Sequence, residues 1–143
     1  EAAERFKDEL TSDPALLADR PLVSVVLPTR DRARPLRAAV DSVLAQTYEN
    51  FELLIVDDGS TDDTAGVIAE YAAADSRVKH LHHEANRGVA AARNTGIVAA
   101  TGRYIAYLDS DNTWVPDFLD VMLRHLEREG AAVAYAGSAL VDQ

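Results

Sequence analysis

Apolar residues fall along this chain in two alternating rhythms. Three short, nearly continuous runs, LVSVVLP (22–28), FELLIVDD (51–58) and YIAYLD (104–109), each break off at polar residues. Runs of this kind fit strands covered on both faces, as in a parallel sheet. RVKHLHH (77–83) is a weaker strand, expected nearer an edge, and AAVAYAGSALV (131–141) reads as a final strand or two. Between the runs the spacing changes to threes and fours. In PLRAAVDSVLAQT, Leu36, Val40, Val43, Leu44 and Thr47 fall on one helical face, and Pro35 suits a first turn. Asp62 and Asp63 open a second helix, where negative charge suits the dipole, with Val67, Ile68 and Tyr71 as its apolar stripe. GVAAARNTGIVAATG (88–102) is a helix of small residues that should pack closely, and Gly102 is placed to end it. PDFLDVMLRHLEREG (116–130) starts at Pro116 and stops at Gly130.

This alternation of strand and helix predicts an α/β chain with an open, Rossmann-like, doubly wound and mostly parallel sheet. Residues 1–20 are polar with scattered Phe6, Leu10, Leu16 and Leu17, and read as a helical leader broken at Pro14; residues 21–143 form the main domain. A length of 143 residues suits one domain with a real core. No apolar stretch approaches the roughly 20 residues of a membrane span. The chain has no cysteine, which removes disulfide and thiolate chemistry and fits a reducing compartment, the cytoplasm being expected. A net charge of -10 argues against a nucleic-acid partner. An anionic ligand such as a phosphate would need a cation to screen the repulsion. The sequence begins at Glu1 without methionine and stops at Gln143 just after an apolar run, so it reads as a piece of something longer.

In open α/β sheets ligands sit beyond the carboxyl ends of the strands. Those ends carry Pro28-Thr29-Arg30, Asp57-Asp58-Gly59-Ser60 and Asp109-Ser110-Asp111. Asp109 and Asp111 could be an ordinary strand exit. Two neighbouring carboxylates also repel and raise each other's pKa unless a cation joins them, and hard oxygen ligands suit Mg²⁺ or Mn²⁺. VDDGSTDDT (56–64) reads either as strand, turn at Gly59 and a cap at Ser60 or Thr61, or as a carboxylate placed to accept from a nucleobase N–H or a ribose hydroxyl. Arg87 and Arg93 are either solvated or reach the acidic strand ends or a phosphate. His80 and His82 share a strand face that would suit a metal, but spacing supplies no third ligand, and a polar strand end accounts for them. No GxGxxG or GxxxxGK[ST] loop is present.

Together VSVVLPTRDR, QTYENFELLIVDDGSTDDT, NRGVAAARNTGIVAATGRYIAYLDSDN and WVPDFLD resemble the inverting family-2 glycosyltransferases of GT-A fold, in order and spacing, from about residue 21 to about residue 123. The resemblance implies the donor-binding half of a metal-dependent transferase of the kind used in polysaccharide biosynthesis. Its substrate would be a nucleotide-diphosphate sugar, UDP-type favoured over GDP or dTDP. Pro28 and Thr29 would line the nucleoside pocket with Arg30 nearby, and Asp58 would hold the base with Asp57 beside it. Arg93, or alternatively Arg87, would support that aspartate or the diphosphate. Asp111 would be the principal ligand of Mn²⁺ or Mg²⁺, with Asp109 and Ser110 toward the ribose and the metal's water shell. Asn112 stands where many members carry a further aspartate. The general base of the family lies well past the metal motif, so it is expected beyond Gln143, with little or no transfer by these residues alone and an uncovered apolar face that invites self-association. A nucleotidyltransferase and a non-catalytic nucleotide- or partner-binding module are the alternatives. The glycine-free PTRDRARP loop counts against the first, and the intact aspartates count against the second.

Overall fold

The structure is a computed structural model that describes residues 2–136. Four strands, β1 (Val23–Thr29), β2 (Phe51–Asp57), β3 (Val78–His82) and β4 (Tyr104–Tyr107), pair in parallel in the order β3-β2-β1-β4. Among the described residues five α-helices accompany them, α1 (Ala2–Thr11), α2 (Ala33–Leu44), α3 (Thr64–Ala74), α4 (Val89–Ala99) and α5 (Phe118–Glu129), with one turn of 3-10 helix at Pro14–Leu17. The chain is thus α/β with a parallel sheet flanked by helices. Residues 131–136 carry no regular element, and the remainder of the last expected strand, 137–141, lies outside the described residues. Among the described residues no helix is long and apolar enough to cross a membrane.

Every residue of β1 and β2 is buried, as their unbroken apolar texture requires. Val23, Val25 and Leu27 join Phe51, Leu53 and Ile55 in one core with Leu36, Val40 and Val43 of α2, Val67 and Ile68 of α3, and Leu119 and Leu123 of α5. Each such side chain removed from water stabilises the fold by roughly 1.5–3 kcal/mol. The opposite face of the sheet receives α4. A Cβ on Gly96 would lie 2.4 Å from Val26 Cγ1, so the small residues of this helix set how closely it approaches the strand. The leader does not stand apart. Leu10 and Leu17 are buried, Arg124 of α5 donates to the Asp13 carbonyl at 2.7 Å, and Lys7 pairs with Asp117.

Two boundary residues serve purposes other than those expected. The helix α4 ends at Ala99, and Gly102 instead lets the chain pass against β1: a Cβ there would sit 2.7 Å from both Leu22 O and Ser24 N. Pro116 lies in the turn before α5, where its carbonyl accepts from Thr47 N–H at 2.8 Å. Gly130 does close α5, in the left-handed conformation with φ 59°.

Beneath α4 one acidic side chain lies among the strands. Glu52 is buried, and its Oε1 accepts from Ser24 Oγ at 2.6 Å and from Thr101 N at 2.7 Å, while Lys79 Nζ donates to Oε2 at 2.6 Å. Burial alone would raise the Glu52 pKa; the Lys79, Ser24 and Thr101 donors outweigh it and bring the value down to about 2. A carboxylate with a depressed folded pKa stabilises the fold above its unfolded value, and that contribution fades as pH falls through the folded value. Glu52→Gln therefore lowers stability by about 1–3 kcal/mol at pH 7. Denaturant unfolding of wild type and variant at pH 7 and again near pH 2 should show the two curves converging in acid.

Candidate functional site

The chain runs from β1 outward through β2 to β3, then returns to place β4 on the other side of β1. Neighbours in the sheet, β1 and β4 are thus not consecutive in the chain, and a crevice opens at their carboxyl ends. It is a cleft of about 400 Å³ lined by Pro28, Thr29, Arg30, Arg32, Asp58, Asn86, Val89, Ala92, Arg93, Asp109, Ser110 and Asp111.

One residue fixes the wall made by the loop after β1. Asp31 adopts a left-handed backbone, φ 48°, which aspartate tolerates better than most residues. Its carboxylate accepts from Thr61 N at 2.7 Å, and its own N–H donates to Ser60 Oγ at 3.0 Å. The Thr61 N–H holds the Asp31 pKa below the ordinary carboxylate range. Next to it Arg32 N–H donates to Thr64 Oγ1 at 3.0 Å. Ser60 thus receives the Asp31 amide and does not cap α3; the N-cap position is Asp63, without a side-chain cap bond, and Asp62 Oδ1 just before it accepts from Thr64 N at 2.9 Å. With this loop tied down, Arg32 Nη1 donates to Asp111 Oδ2 at 2.7 Å. Across the cleft Arg93 Nη2 donates to Asp109 Oδ1 at 2.9 Å. Both aspartate side chains are half exposed. Each arginine takes one oxygen of its aspartate, so the second oxygen can face the cleft. A pair of hard oxygen donors with positive charge already beside them suits a divalent cation carrying an anionic ligand.

The floor is built on Asp58, which is buried. Its Oδ1 receives His83 Nδ1 at 2.7 Å and Arg87 N at 2.8 Å, and its Oδ2 receives Gly88 N at 2.8 Å. The other nitrogen of His83 meets Thr95 Oγ1 at 2.8 Å. With Asp58 ionised, His83 donates to it from Nδ1. Burial pushes the Asp58 pKa up, but the His83, Arg87 and Gly88 donors prevail and leave it below the ordinary value. Beside it Thr29 Oγ1 is buried without a hydrogen-bond partner, a donor open to a ligand. Gly59 allows the close contact of this floor. With φ 72° it makes the turn after β2, and a Cβ there would lie 2.7 Å from Ala85 C and Asn86 N.

One sequence candidate faces away from the cleft, and another meets it only through its backbone. Successive strand side chains point to opposite faces, so Asp58 turns to the cleft and Asp57 turns away from it. Asp57 Oδ1 serves the turn by accepting Ser60 N at 2.9 Å. Arg87 reaches Asp58 through its backbone N–H and not through its guanidinium. Arg93 is paired with Asp109 rather than with Asp58. Conversely Arg32, Asn86 and His83 belong to the site without having been singled out. The basic PTRDRARP loop carried a signal for Arg32, but nothing local marks the other two.

The profile described as "Glycosyl transferase family 2" matches residues 24–143. The chain belongs to glycosyl transferase family 2. Among curated relatives, UDP-Glc:alpha-D-GlcNAc-diphosphoundecaprenol beta-1,3-glucosyltransferase WfgD of Escherichia coli is 37% identical over 121 residues, which are 85% of this chain and 47% of that protein. The putative teichuronic acid biosynthesis glycosyltransferase TuaG of Bacillus subtilis is 38% identical over 124 residues, 87% of this chain and 49% of that protein. The chain thus spans about half the length of these curated relatives. Among solved structures, TarS 1–349 of S. aureus in complex with UDP superposes with a TM-score of 0.69 at 25% identity, over 76% of this chain and 32% of that one. A mannosyltransferase from Pyrobaculum calidifontis, in complex with GDP-Man and Mn²⁺, gives a TM-score of 0.70 at 24% identity, over 86% of this chain and 44% of that one, and shares the GT-A fold.

His83→Ala leaves the Asp58 and Thr95 oxygens without their shared partner in a buried place, at a cost of about 1–3 kcal/mol. Thr95→Val keeps all three donors on Asp58 and should cost less. Thermal unfolding of the two variants side by side checks the order.

Proposed function

We propose that this chain forms the donor-binding half of an inverting, metal-assisted glycosyltransferase, and that its cleft takes a nucleotide-diphosphate sugar. One observation carries the reading: Asp109 and Asp111 stand at the cleft between β1 and β4, each held on one oxygen by an arginine, with Asp58 and the unpartnered Thr29 hydroxyl in the same cleft. Neighbours of the same fold add support, since TarS is known bound to UDP and to UDP-GlcNAc and the mannosyltransferase to GDP-Man with Mn²⁺.

In this reading Pro28 and Thr29 bound the nucleoside, and Asp58 accepts from a base N–H with the lone pairs that His83, Arg87 and Gly88 leave it. Arg87 then acts through its amide, as a positioning residue for Asp58. Asp109 and Ser110 face the ribose side, and Asp109 and Asp111 hold Mn²⁺ or Mg²⁺. Such a cation, held there, would supply positive charge to the diphosphate. Arg30, Arg32 and Arg93 add positive charge around the same anion, which a chain of net charge -10 needs locally. UDP is the favoured nucleotide, with GDP and dTDP as competitors. In this reading Asp58, Asp109 and Asp111, the carboxylates lining the cleft, serve the donor and its cation rather than an acceptor hydroxyl. We therefore assign donor binding to this chain and transfer to the whole protein, whose curated relatives are about twice as long.

Trp114 reports on the site. It lies three residues beyond Asp111 and stacks on Phe118 with ring centroids 4.6 Å apart. Mn²⁺ titrated in the presence of UDP should quench its fluorescence saturably and more tightly than Mn²⁺ alone or with GDP. Asp111→Asn should weaken that quenching by about tenfold or more, roughly 1.4 kcal/mol. Quenching that survives the substitution, or is indifferent to every nucleotide, would sink the proposal.

A further inference from the structure

A second cluster sits at the carboxyl ends of β2 and β3, on the side of β2 away from the donor cleft. The strand register pairs Asp57 with His82, and His80 lies two residues back on the same face of β3. Asp57 Oδ2 is 3.6 Å from His82 Nδ1, and one ligand atom from each of Asp57, His80 and His82 falls within 4.8 Å of the others. Asp57 is fully buried, yet its Oδ2 has no hydrogen-bond partner, and neither has the buried Nε2 of His80. An unpaired carboxylate oxygen in such a place is costly unless something cationic meets it. The polar-strand-end reading of His80 and His82 leaves both of these atoms unexplained.

We propose that Asp57, His80 and His82 form a binding site for a divalent transition-metal ion of the Zn²⁺ class. Two imidazoles and one carboxylate are a donor set that such ions prefer and that Mg²⁺ does not. Ligands about 2.0–2.2 Å from a tetrahedral ion lie about 3.4 Å from one another, so the Asp57 to His82 separation already fits and the wider pair closes by side-chain rotation. His82 is half exposed, which gives the ion a route in and leaves the fourth position to water. The ion ties the edge strand β3 to β2. The chain leaving β3 is the segment from His83 to Gly88 that holds Asp58, so the tie also steadies the floor of the donor cleft.

Co²⁺ is the probe, since its visible absorption reports imidazole-rich, low-coordinate sites that oxygen-only sites do not mimic. The folded chain should take up Co²⁺ saturably, give these bands, and lose them on adding Zn²⁺. His82→Gln, a change at a half-exposed side chain, should weaken binding by about tenfold or more, and His80→Gln should do the same. Asp111→Asn should leave the bands in place, which separates this site from the donor cleft. Zn²⁺ should raise the unfolding temperature of the wild type and not that of His82→Gln. A folded wild-type chain without a saturable Co²⁺ spectrum overturns the proposal, as does a spectrum indifferent to both histidine changes or abolished by Asp111→Asn.

Discussion

The fold of the cleft hangs on one buried carboxylate. Asp58 closes hydrogen bonds to residues 25, 29 and 30 positions further along, and through them fixes the end of β2 against the segment that leads into α4. A charge can stay in so dry a place only because every donor arrives together. If one were withdrawn, the others would hold an under-solvated anion, so the contacts stand or fall as a unit. The chain segment over the cleft contributes few apolar side chains of its own and takes its order from this anion. Glu52 plays the matching part beneath α4, where it joins β1, β3 and the turn after α4 through Ser24, Lys79 and Thr101.

Much of this was legible in the sequence, and the reasons are physical. The strands β1 and β2 announce themselves because a strand buried on both faces cannot carry polar alternation. The shorter β4 was legible too from its apolar run, but that run reads as a strand covered on both faces, whereas its side chains are only partly buried and Ile105 and Tyr107 are exposed. Gly102 misled because a glycine after a helix has two uses, as a cap and as a place of close approach, and only the position of β1 tells them apart. The same holds for Ser60. It looks like a cap from its local sequence, but its hydroxyl is spent on Asp31, a partner 29 residues away.

The site divides along the same line. Asp109, Asp111, Thr29 and Asp58 could be suspected because each lies at or shortly past the carboxyl end of a strand. Arg32 could be suspected from its basic loop, whereas its pairing with Asp111 spans 79 residues and has no local trace. Asp57 shows the limit most clearly. Its neighbour faces the cleft, and a shift of one residue along a strand reverses the face. Its proximity to His80 and His82 is a product of register between two parallel strands, and register is not written in any short stretch of either.

Asp31 has a consequence for recognition itself. Holding a non-glycine residue at φ 48° costs about 1 kcal/mol of backbone strain, and the fold bears that cost whether or not a ligand is present. The loop after β1 is accordingly shaped in advance, with Arg30 and Arg32 on a backbone that has already lost its freedom. A ligand entering between the strand ends meets a rigid rim and does not have to order it, so more of its contact energy survives as affinity.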